Sequence, residues 1–245
     1  MTSPSPAAET RSGAGHADPR LIVPLDLPTR ADAEAMVERL GDSISFYKIG
    51  LQLLASGGMD LAKDLQRSGR SVFLDWKLHD IGATVEKATA AIIASGACDF
   101  LTVHAQPQVM AAAVRGRAGA KGAKILGVTV LTSLSEDDVK AIGYGMPIAD
   151  LVERRIRQAL DVGVDGVVAS PHEAALARRI GGPDFLVVTP GVRPAWAKAD
   201  DQARAATPED AIAAGASHLV CGRPITGAED PRAAADSIAR GIAGV

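Results

Sequence analysis

One stretch of the chain indicates both its fold and its chemistry: Val72-Phe-Leu-Asp75-Trp-Lys77-Leu-His-Asp80-Ile81. It begins as an apolar run, typical of a buried parallel strand, and then brings together an acid, a base and a second acid. Side chains at positions i and i+2 of a strand share a face, so Asp75 and Lys77 are predicted to point the same way. Charges at the end of an apolar strand are costly unless they are paired, solvated or functional. We interpret these charges as functional.

Around this stretch, short apolar runs alternate with longer, alanine-rich amphipathic segments. Eight runs resemble strands, helical segments separate them, and a last helical segment closes the chain. This alternation and the length of 245 residues predict a single-domain (β/α)8 TIM barrel over residues 20–245. The predicted strands are residues 21–27, 45–50, 71–78, 99–104, 124–132, 164–170, 185–192 and 218–222.

An open, doubly wound sheet is the structural alternative to the barrel. Such sheets usually have fewer strands and bind ligands in a crevice where the strand order reverses. No G-x-G-x-x-G motif follows the first predicted strand, which disfavours the dinucleotide-binding version of that fold. The pattern therefore favours the barrel.

Composition restricts the classes of function. The chain is 47% hydrophobic with a formal net charge of −3, and its basic residues are scattered, so we expect no nucleic-acid partner. No apolar run is long enough to span a bilayer. Cys98 and Cys221 lack metal-ligand spacing and are predicted to be buried free thiols, which fits a reducing cytoplasm. Residues 1–19 lack the apolar segment of a signal peptide and are predicted to be a disordered tail.

In TIM barrels the chemistry lies at the carboxyl ends of the strands. Any one polar residue there could be a solvated loop charge or part of a local ion pair. The whole set at one end of one barrel indicates an active site instead. In chain order these residues are Asp26, Lys48, Asp75 with Lys77 and Asp80, His104, Thr132, Arg193, and Gly222 with Arg223.

The last two predicted strands end in segments that suggest an anion site. These are Thr189-Pro-Gly-Val-Arg193 and Val220-Cys-Gly-Arg-Pro224. Loops after strands seven and eight commonly bind phosphate in this fold, where glycine permits close backbone approach and arginine supplies charge. The alternative is that these residues only form turns. His104 is interpreted as structural, and no metal site is predicted because no metal-ligand spacing occurs.

These motifs resemble the orotidine 5'-phosphate decarboxylase family in its bacterial form, over essentially all of residues 20–240. The segment from Asp75 to Ile81 is similar to the family's D-x-K-x-x-D-I signature, whose core is shared with related sugar-phosphate decarboxylases and synthases. Further segments make the resemblance more specific: Leu25-Asp26, Tyr47-Lys48, Val128–Ser133, Thr189–Pro194, Asp201-Gln202 with Arg204 and Thr207-Pro208, and Gly222–Thr226.

The resemblance implies a cofactor-independent carboxy-lyase acting in pyrimidine biosynthesis, and a homodimer with active sites at its interface. It implies an array of Lys48, Asp75 and Lys77, completed by Asp80 of the partner subunit, in which Lys77 protonates the product carbanion. The other implied substrate-binding residues are Asp26 and Thr84 (with Lys48) at the ribose, Thr132 at the pyrimidine, and Arg193, Gln202, Gly222 and Arg223 at the phosphate.

Two other classes of function remain open from the sequence. A Mg²⁺-dependent sugar-phosphate decarboxylase or aldol-type synthase of the same barrel group could use the acid–lysine–acid core to stabilise an enediolate. A non-catalytic barrel that binds a phosphorylated ligand would need the arginines at the last two strands but not the lysine pair.

Overall fold

The computed structural model describes residues 17–117, 120, 122–197 and 206–245. Its eight parallel strands follow one another in sequence order around a closed barrel, in which β1 pairs with both β2 and β8. The (β/α)8 prediction is therefore confirmed. The strands are β1 Leu21–Pro24, β2 Phe46–Gly50, β3 Ser71–Leu78, β4 Phe100–His104, β5 Lys124–Val128, β6 Gly166–Val168, β7 Leu186–Pro190 and β8 His218–Val220.

Helices cover the outside of the barrel. Local signals fix several of their ends: Thr29 and Asp32 form a reciprocal capping box at the start of the first helix, and Thr207 and Asp230 cap two later ones. The helices are α1 Arg30–Leu40, α2 Leu51–Leu54, α3 Gly58–Arg67, α4 Gly82–Ala94, α5 Pro107–Arg117, α6 Glu136–Ala141, α7 Ile148–Val162, α8 Ala174–Gly181, α9 Pro208–Ala213, α10 Arg223–Thr226 and α11 Pro231–Ala243.

Two apolar clusters make up the core. The larger one lies between the outer faces of the strands and the helices. The smaller one fills the barrel interior with residues from seven of the strands: Ile22, Phe46, Phe73, Phe100, Leu126, Val188 and Val220. Inward-facing side chains alternate along each strand, so the residue two positions after Phe46 is Lys48 and the residue two after Phe73 is Asp75. The apolar interior thus carries charged residues directly above it.

Several strands are shorter than predicted. The fifth strand was predicted to reach Thr132, but β5 ends at Val128. The next residues form a loop at the mouth of the barrel, the end at which the carboxyl ends of the strands lie. Both cysteines are free thiols, and burial raises the pKa of each to about 12. Among the helices of the described residues, none is long and apolar enough to cross a membrane.

The predicted disordered tail, residues 1–19, stays a prediction, and its residues 1–16 lie outside the described part of the chain. Of its last residues, Asp18 accepts hydrogen bonds from the guanidinium and backbone N–H of Arg20, just before β1. Because it directly precedes β1, this ion pair lies at the amino-terminal end of the parallel strands, opposite the mouth.

Candidate active site

Three strands bring a continuous row of charges to the mouth of the barrel. Lys48 Nζ donates to both carboxylate oxygens of Asp26 at 3.0 Å and lies 3.4 Å from Asp75 Oδ2. Lys77 Nζ donates to Asp75 Oδ1 at 2.8 Å. The four groups therefore alternate in sign as Asp26, Lys48, Asp75 and Lys77, so each charge has an opposite charge beside it.

Burial differs along this row. The Lys48 side chain is only 9% exposed and that of Asp75 14%, whereas Asp26 is 47% exposed. Burial by itself would raise the pKa of Asp75. The ammonium groups of Lys48 and Lys77, with hydrogen bonds from Lys77 and Thr102, outweigh it and hold the pKa below the usual range. Asp75 is consequently a carboxylate at neutral pH, held between two cations.

The strand that carries this acid–lysine pair is irregular. Its pairing with β4 passes from Leu74 opposite Leu101 to Leu78 opposite Val103, so β3 advances four residues while β4 advances two. Inside this bulge, Lys77 has φ of 48°, which is the only positive φ of a non-glycine residue in the described ranges. Bulges re-aim side chains next to active sites. Both Asp75 and Lys77 face the cavity, as predicted, but not through a regular two-residue alternation.

Gly50 makes room for the charged row at the end of β2. A Cβ atom on this residue would lie 2.4 Å from Asp26 Oδ1 and 3.2 Å from Lys48 Nζ. Its backbone has φ of −90°, which any residue can adopt, so the glycine is required for space and not for conformation. Any larger residue would push Asp26 away from Lys48.

Two cationic residues follow the last two strands at the mouth. Arg193 follows β7 after a turn in which Gly191 has φ of 79°, and its backbone N–H donates to the carbonyl of Ala206 at 3.0 Å. Arg223 follows β8 and Gly222, where a Cβ would come within 3.1 Å of Pro24 on β1. The segments predicted to bind an anion therefore meet at one side of the barrel.

A cavity of about 390 Å³ is lined both by the charged row and by the two arginines. Its apolar wall comes from the ends of β5 and β6, through Val128, Val130, Val168 and Ala169, and Phe73 forms part of its floor. Thr132 lines it from the loop after β5. A ligand that matches this cavity would place an anionic group at the arginines, a flat apolar body against the apolar wall, and its reacting end at Lys77.

The structure brings most of the predicted site residues together, and two of the predicted residues that it describes lie outside the cavity. Asp80 and Thr84 are exposed and do not line the cavity, and Asp80 Oδ1 accepts the backbone N–H of Ile81 at 2.6 Å. Gln202 lies outside the described residues. The predicted residues that line the cavity are Asp26, Lys48, Asp75, Lys77, Thr132, Arg193, Gly222 and Arg223.

Sequence reasoning missed Gly50 and Thr102. Thr102 is fully buried in β4 and contacts both Asp75 and Lys77. The signal that could have identified it is its position: it is a polar residue two places after Phe100, on the inward face of an otherwise apolar strand. His104 ends the same strand with its ring 5.1 Å from that of His79, and burial lowers its pKa.

A closed parallel barrel with charged residues grouped at the carboxyl ends of its strands is typical of the class of (β/α)8 enzymes. Family comparison is more specific, because residues 19–238 match the model of the orotidine 5'-phosphate decarboxylase / HUMPS family. The chain belongs to this family.

Known relatives and structures agree with that assignment. The chain is 66% identical over 233 residues to an orotidine 5'-phosphate decarboxylase of Caulobacter vibrioides, covering 94% of this chain and 99% of that protein. It is 56% identical to one of Methylobacterium radiotolerans, over 93% and 98% of the two chains. The crystal structure of orotidine 5'-phosphate decarboxylase from Lactobacillus acidophilus superposes with a TM-score of 0.81 at 37% identity, over 92% and 99% of the chains.

Proposed function

We propose that the protein is a carboxy-lyase that converts orotidine 5'-phosphate into uridine 5'-phosphate and CO₂, the last step of de novo pyrimidine biosynthesis. One observation carries the proposal: the Lys48–Asp75–Lys77 row lines the same cavity as Arg193 and Arg223. This arrangement accompanies 66% identity to a relative named for that reaction.

The reaction presents a specific electrostatic problem. When the bond between carbon 6 and the carboxylate breaks, CO₂ leaves and an electron pair remains in the plane of the pyrimidine ring, outside its π system. Fixed positive charge next to carbon 6 lowers the energy of this carbanion. The proposal therefore requires a cation at the reacting end of the cavity and no cofactor.

Lys77 is assigned both tasks at carbon 6. As an ammonium it stabilises the carbanion, and it then transfers a proton to carbon 6, so that a C–H bond replaces the C–C bond. Its 2.8 Å contact with Asp75 supports this role, because the carboxylate holds the Lys77 side chain at the cavity. After product formation the amine recovers its proton from solvent.

Asp75 and Lys48 support the same step. Asp75 is assigned to the space beside the substrate carboxylate, where repulsion between the two anions favours loss of CO₂. Lys48 pairs with the second carboxylate oxygen of Asp75 and also with Asp26. Lys48 and Asp26 are assigned to the ribose hydroxyls. Thr132 is assigned to the edge of the pyrimidine, next to the apolar wall.

The phosphate is assigned to Arg193, Gly222 and Arg223, together with Gln202. Binding energy at this remote group would position the base and favour closure of the mouth. With Arg223→Ala, we expect kcat/KM to fall by about 10²- to 10³-fold, and added guanidinium ion, which replaces the deleted cationic group, should restore part of it. An equal loss with the phosphate-free nucleoside would contradict this role.

We further propose a homodimer in which Asp80 and Thr84 serve the partner's cavity. Both are exposed and lie outside their own cavity, and Ile81 between them is 72% exposed. Mixing Lys77→Ala with Asp80→Ala subunits should give heterodimers with one doubly damaged site and one intact site. Activity regained on mixing is the expected result, and none despite verified subunit exchange would contradict shared sites.

The decisive experiment measures the ultraviolet absorbance of orotidine 5'-phosphate over time after pure protein is added in the presence of EDTA. Loss of this absorbance reports decarboxylation. The proposal requires full activity under these conditions. A Mg²⁺-dependent sugar-phosphate decarboxylase or synthase would leave the absorbance unchanged and would act on its own substrate only after Mg²⁺ is restored. A non-catalytic barrel would bind the nucleotide without any change of absorbance over time.

A further inference from the structure

The residue that joins the two reacting groups is Thr102, in the middle of β4. It is fully buried, and its hydroxyl makes two hydrogen bonds across to β3. The backbone N–H of Lys77 donates to Thr102 Oγ1 at 2.9 Å, and Thr102 Oγ1 donates to Asp75 Oδ1 at 3.1 Å. One side chain thus contacts the main chain of the lysine and the carboxylate of the acid.

The first of these hydrogen bonds replaces part of the sheet ladder. Leu101 and Val103 pair with Leu74 and Leu78, so Thr102 lies directly opposite the bulge of β3. The bulge takes the N–H of Lys77 out of regular pairing, and a buried N–H without an acceptor is costly. The Thr102 hydroxyl supplies that acceptor at the residue whose φ is 48°. A left-handed conformation in a non-glycine residue persists only where its surroundings hold it.

The direction of the second hydrogen bond is fixed by chemistry. Because the N–H of Lys77 can only donate, Thr102 Oγ1 accepts from it. Ionised Asp75 can only accept, so the threonine proton points at Oδ1. The same Oδ1 receives the Lys77 ammonium at 2.8 Å, while Oδ2 is left facing Lys48 at 3.4 Å. The hydroxyl therefore determines which carboxylate oxygen faces which lysine.

We propose that Thr102 is a positioning residue for the decarboxylation: its hydroxyl holds the bulged backbone of Lys77 and the orientation of the Asp75 carboxylate. The inference rests on the proposed function, and it adds a residue that does not line the cavity. Thr102 contacts Lys77 and Asp75, so we expect it to act on the reaction through them.

Two substitutions separate the hydroxyl from the shape of the side chain. Thr102→Val keeps the volume and removes both hydrogen bonds, and we expect kcat to fall by about 10- to 100-fold, with KM changed by less than about threefold. Thr102→Ser keeps the hydroxyl and should retain kcat within about threefold. A folded Thr102→Val protein with kcat within threefold of the wild type would overturn the inference. If the valine variant does not fold, Thr102→Ala is compared with Thr102→Ser in the same way.

The pH dependence gives a readout that packing alone would not move. The hydrogen bond from Thr102 is one of the contacts that lower the pKa of Asp75, so its loss should move the acid limb of kcat to higher pH. Thr89→Val is the control, because Thr89 is a fully buried residue of α4, outside the segments assigned to the site, whose hydroxyl has no hydrogen-bond partner within the described ranges. Equal effects of the two valine substitutions would overturn the inference.

The inference can fail separately from the proposed function. If the wild-type protein does not decarboxylate orotidine 5'-phosphate, the proposed function fails, and Asp75 can still be titrated by ¹³C NMR of its carboxyl carbon. Thr102→Val should raise the pKa of Asp75 relative to the wild type and to Thr102→Ser. An unchanged titration would overturn the positioning role, whatever the activity.

Discussion

The two ends of the barrel interior have opposite chemistry. At the mouth lie the three charged residues Lys48, Asp75 and Lys77, and the side chains of Lys48 and Asp75 are less than 15% exposed. At the other end, Phe46 and Phe100 pack edge to face with centroids 5.0 Å apart, and His218 packs against Phe100 at the same distance. The charged and the aromatic residues are only two positions apart along the strands, as Lys48 is from Phe46.

The difference shows how one fold divides stability from function. Edge-to-face aromatic contacts and apolar burial stabilise the end of the barrel opposite the mouth, which we call the closed end. Desolvated charges contribute little net stability even when paired, so the mouth is maintained for its chemistry. Substitutions at the mouth should therefore change turnover more than stability, and substitutions at the closed end should do the reverse.

The largest expected effect is at Lys77. Lys77→Ala removes the cation and the proton donor, and kcat should fall by roughly 10⁴-fold or more. The melting temperature should change by less than about 5 °C, because Asp75 keeps Lys48 and Thr102 as partners. Turnover and uridine 5'-phosphate binding are measured on the same preparation. Near-normal turnover would contradict the assignment, and lost binding would show that the substitution disturbs the whole cavity.

The reverse result is expected at Phe100. Phe100→Ala removes ring contacts with Phe46, Phe73 and His218 and should lower the free energy of unfolding by about 3–5 kcal/mol. The molecules that remain folded should keep kcat within about threefold. Urea denaturation and turnover at low urea check this. A loss of kcat that exceeds the loss of stability, in free-energy terms, would break the proposed division.

The barrel and most of the mouth were predictable from the sequence because strand periodicity is local. Apolar runs separated by helical segments predict the strands, and the carboxyl ends of parallel strands must meet at one edge. Residues such as Lys48 and Arg223, far apart in the chain, could therefore be assigned to one cavity. Asp75 and Lys77 face that cavity together as predicted, although a bulge and not the regular alternation assumed from the D-x-K spacing places them there.

The bulge in β3 and the roles of Thr102 and Gly50 were not predictable in this way. A bulge depends on the register between two strands, which the sequence of one strand does not specify. From the sequence alone Thr102 is an ordinary strand residue, because its contacts with Asp75 and Lys77 depend on how β4 pairs with β3. Gly50 reads as a strand end until Asp26, 24 positions earlier in the chain, is placed beside it.

Gly50 offers a steric test of the charged mouth. Gly50→Ala would bring a Cβ to 2.4 Å from Asp26 Oδ1, so the Asp26–Lys48 contact must open. We expect kcat/KM to fall by about 10- to 100-fold, mainly through KM, because Asp26 and Lys48 are assigned to the ribose. Gly145→Ala is the control, since a Cβ there would meet nothing within 4 Å and its φ is not positive. Equal activity of the two variants would show that Asp26 has no role in binding.

The smallest expected effect is a pH dependence of stability at the closed end. Burial lowers the pKa of His218 from 6.5 to about 4, with Asp18 and Arg20 acting in opposite directions. The unfolded chain therefore binds more protons than the folded chain between these values. The stabilisation is complete above pH 6.5 and is lost as the pH falls towards 4. From pH 7 to pH 5.5 the loss should be about 1 kcal/mol.

His218→Phe isolates this contribution, because phenylalanine keeps an aromatic ring in the cluster and does not titrate. Urea denaturation at pH 7 and pH 5.5 should show a smaller loss in the variant than in the wild type by that amount. The contribution of Asp75 lies in a lower window: its pKa is lowered in the folded state, so its stabilisation persists above 3.8 and is lost only as the pH falls further. Equal losses in the two proteins would mean that His218 is hydrated, and that the closed end is not the dry counterpart of the mouth.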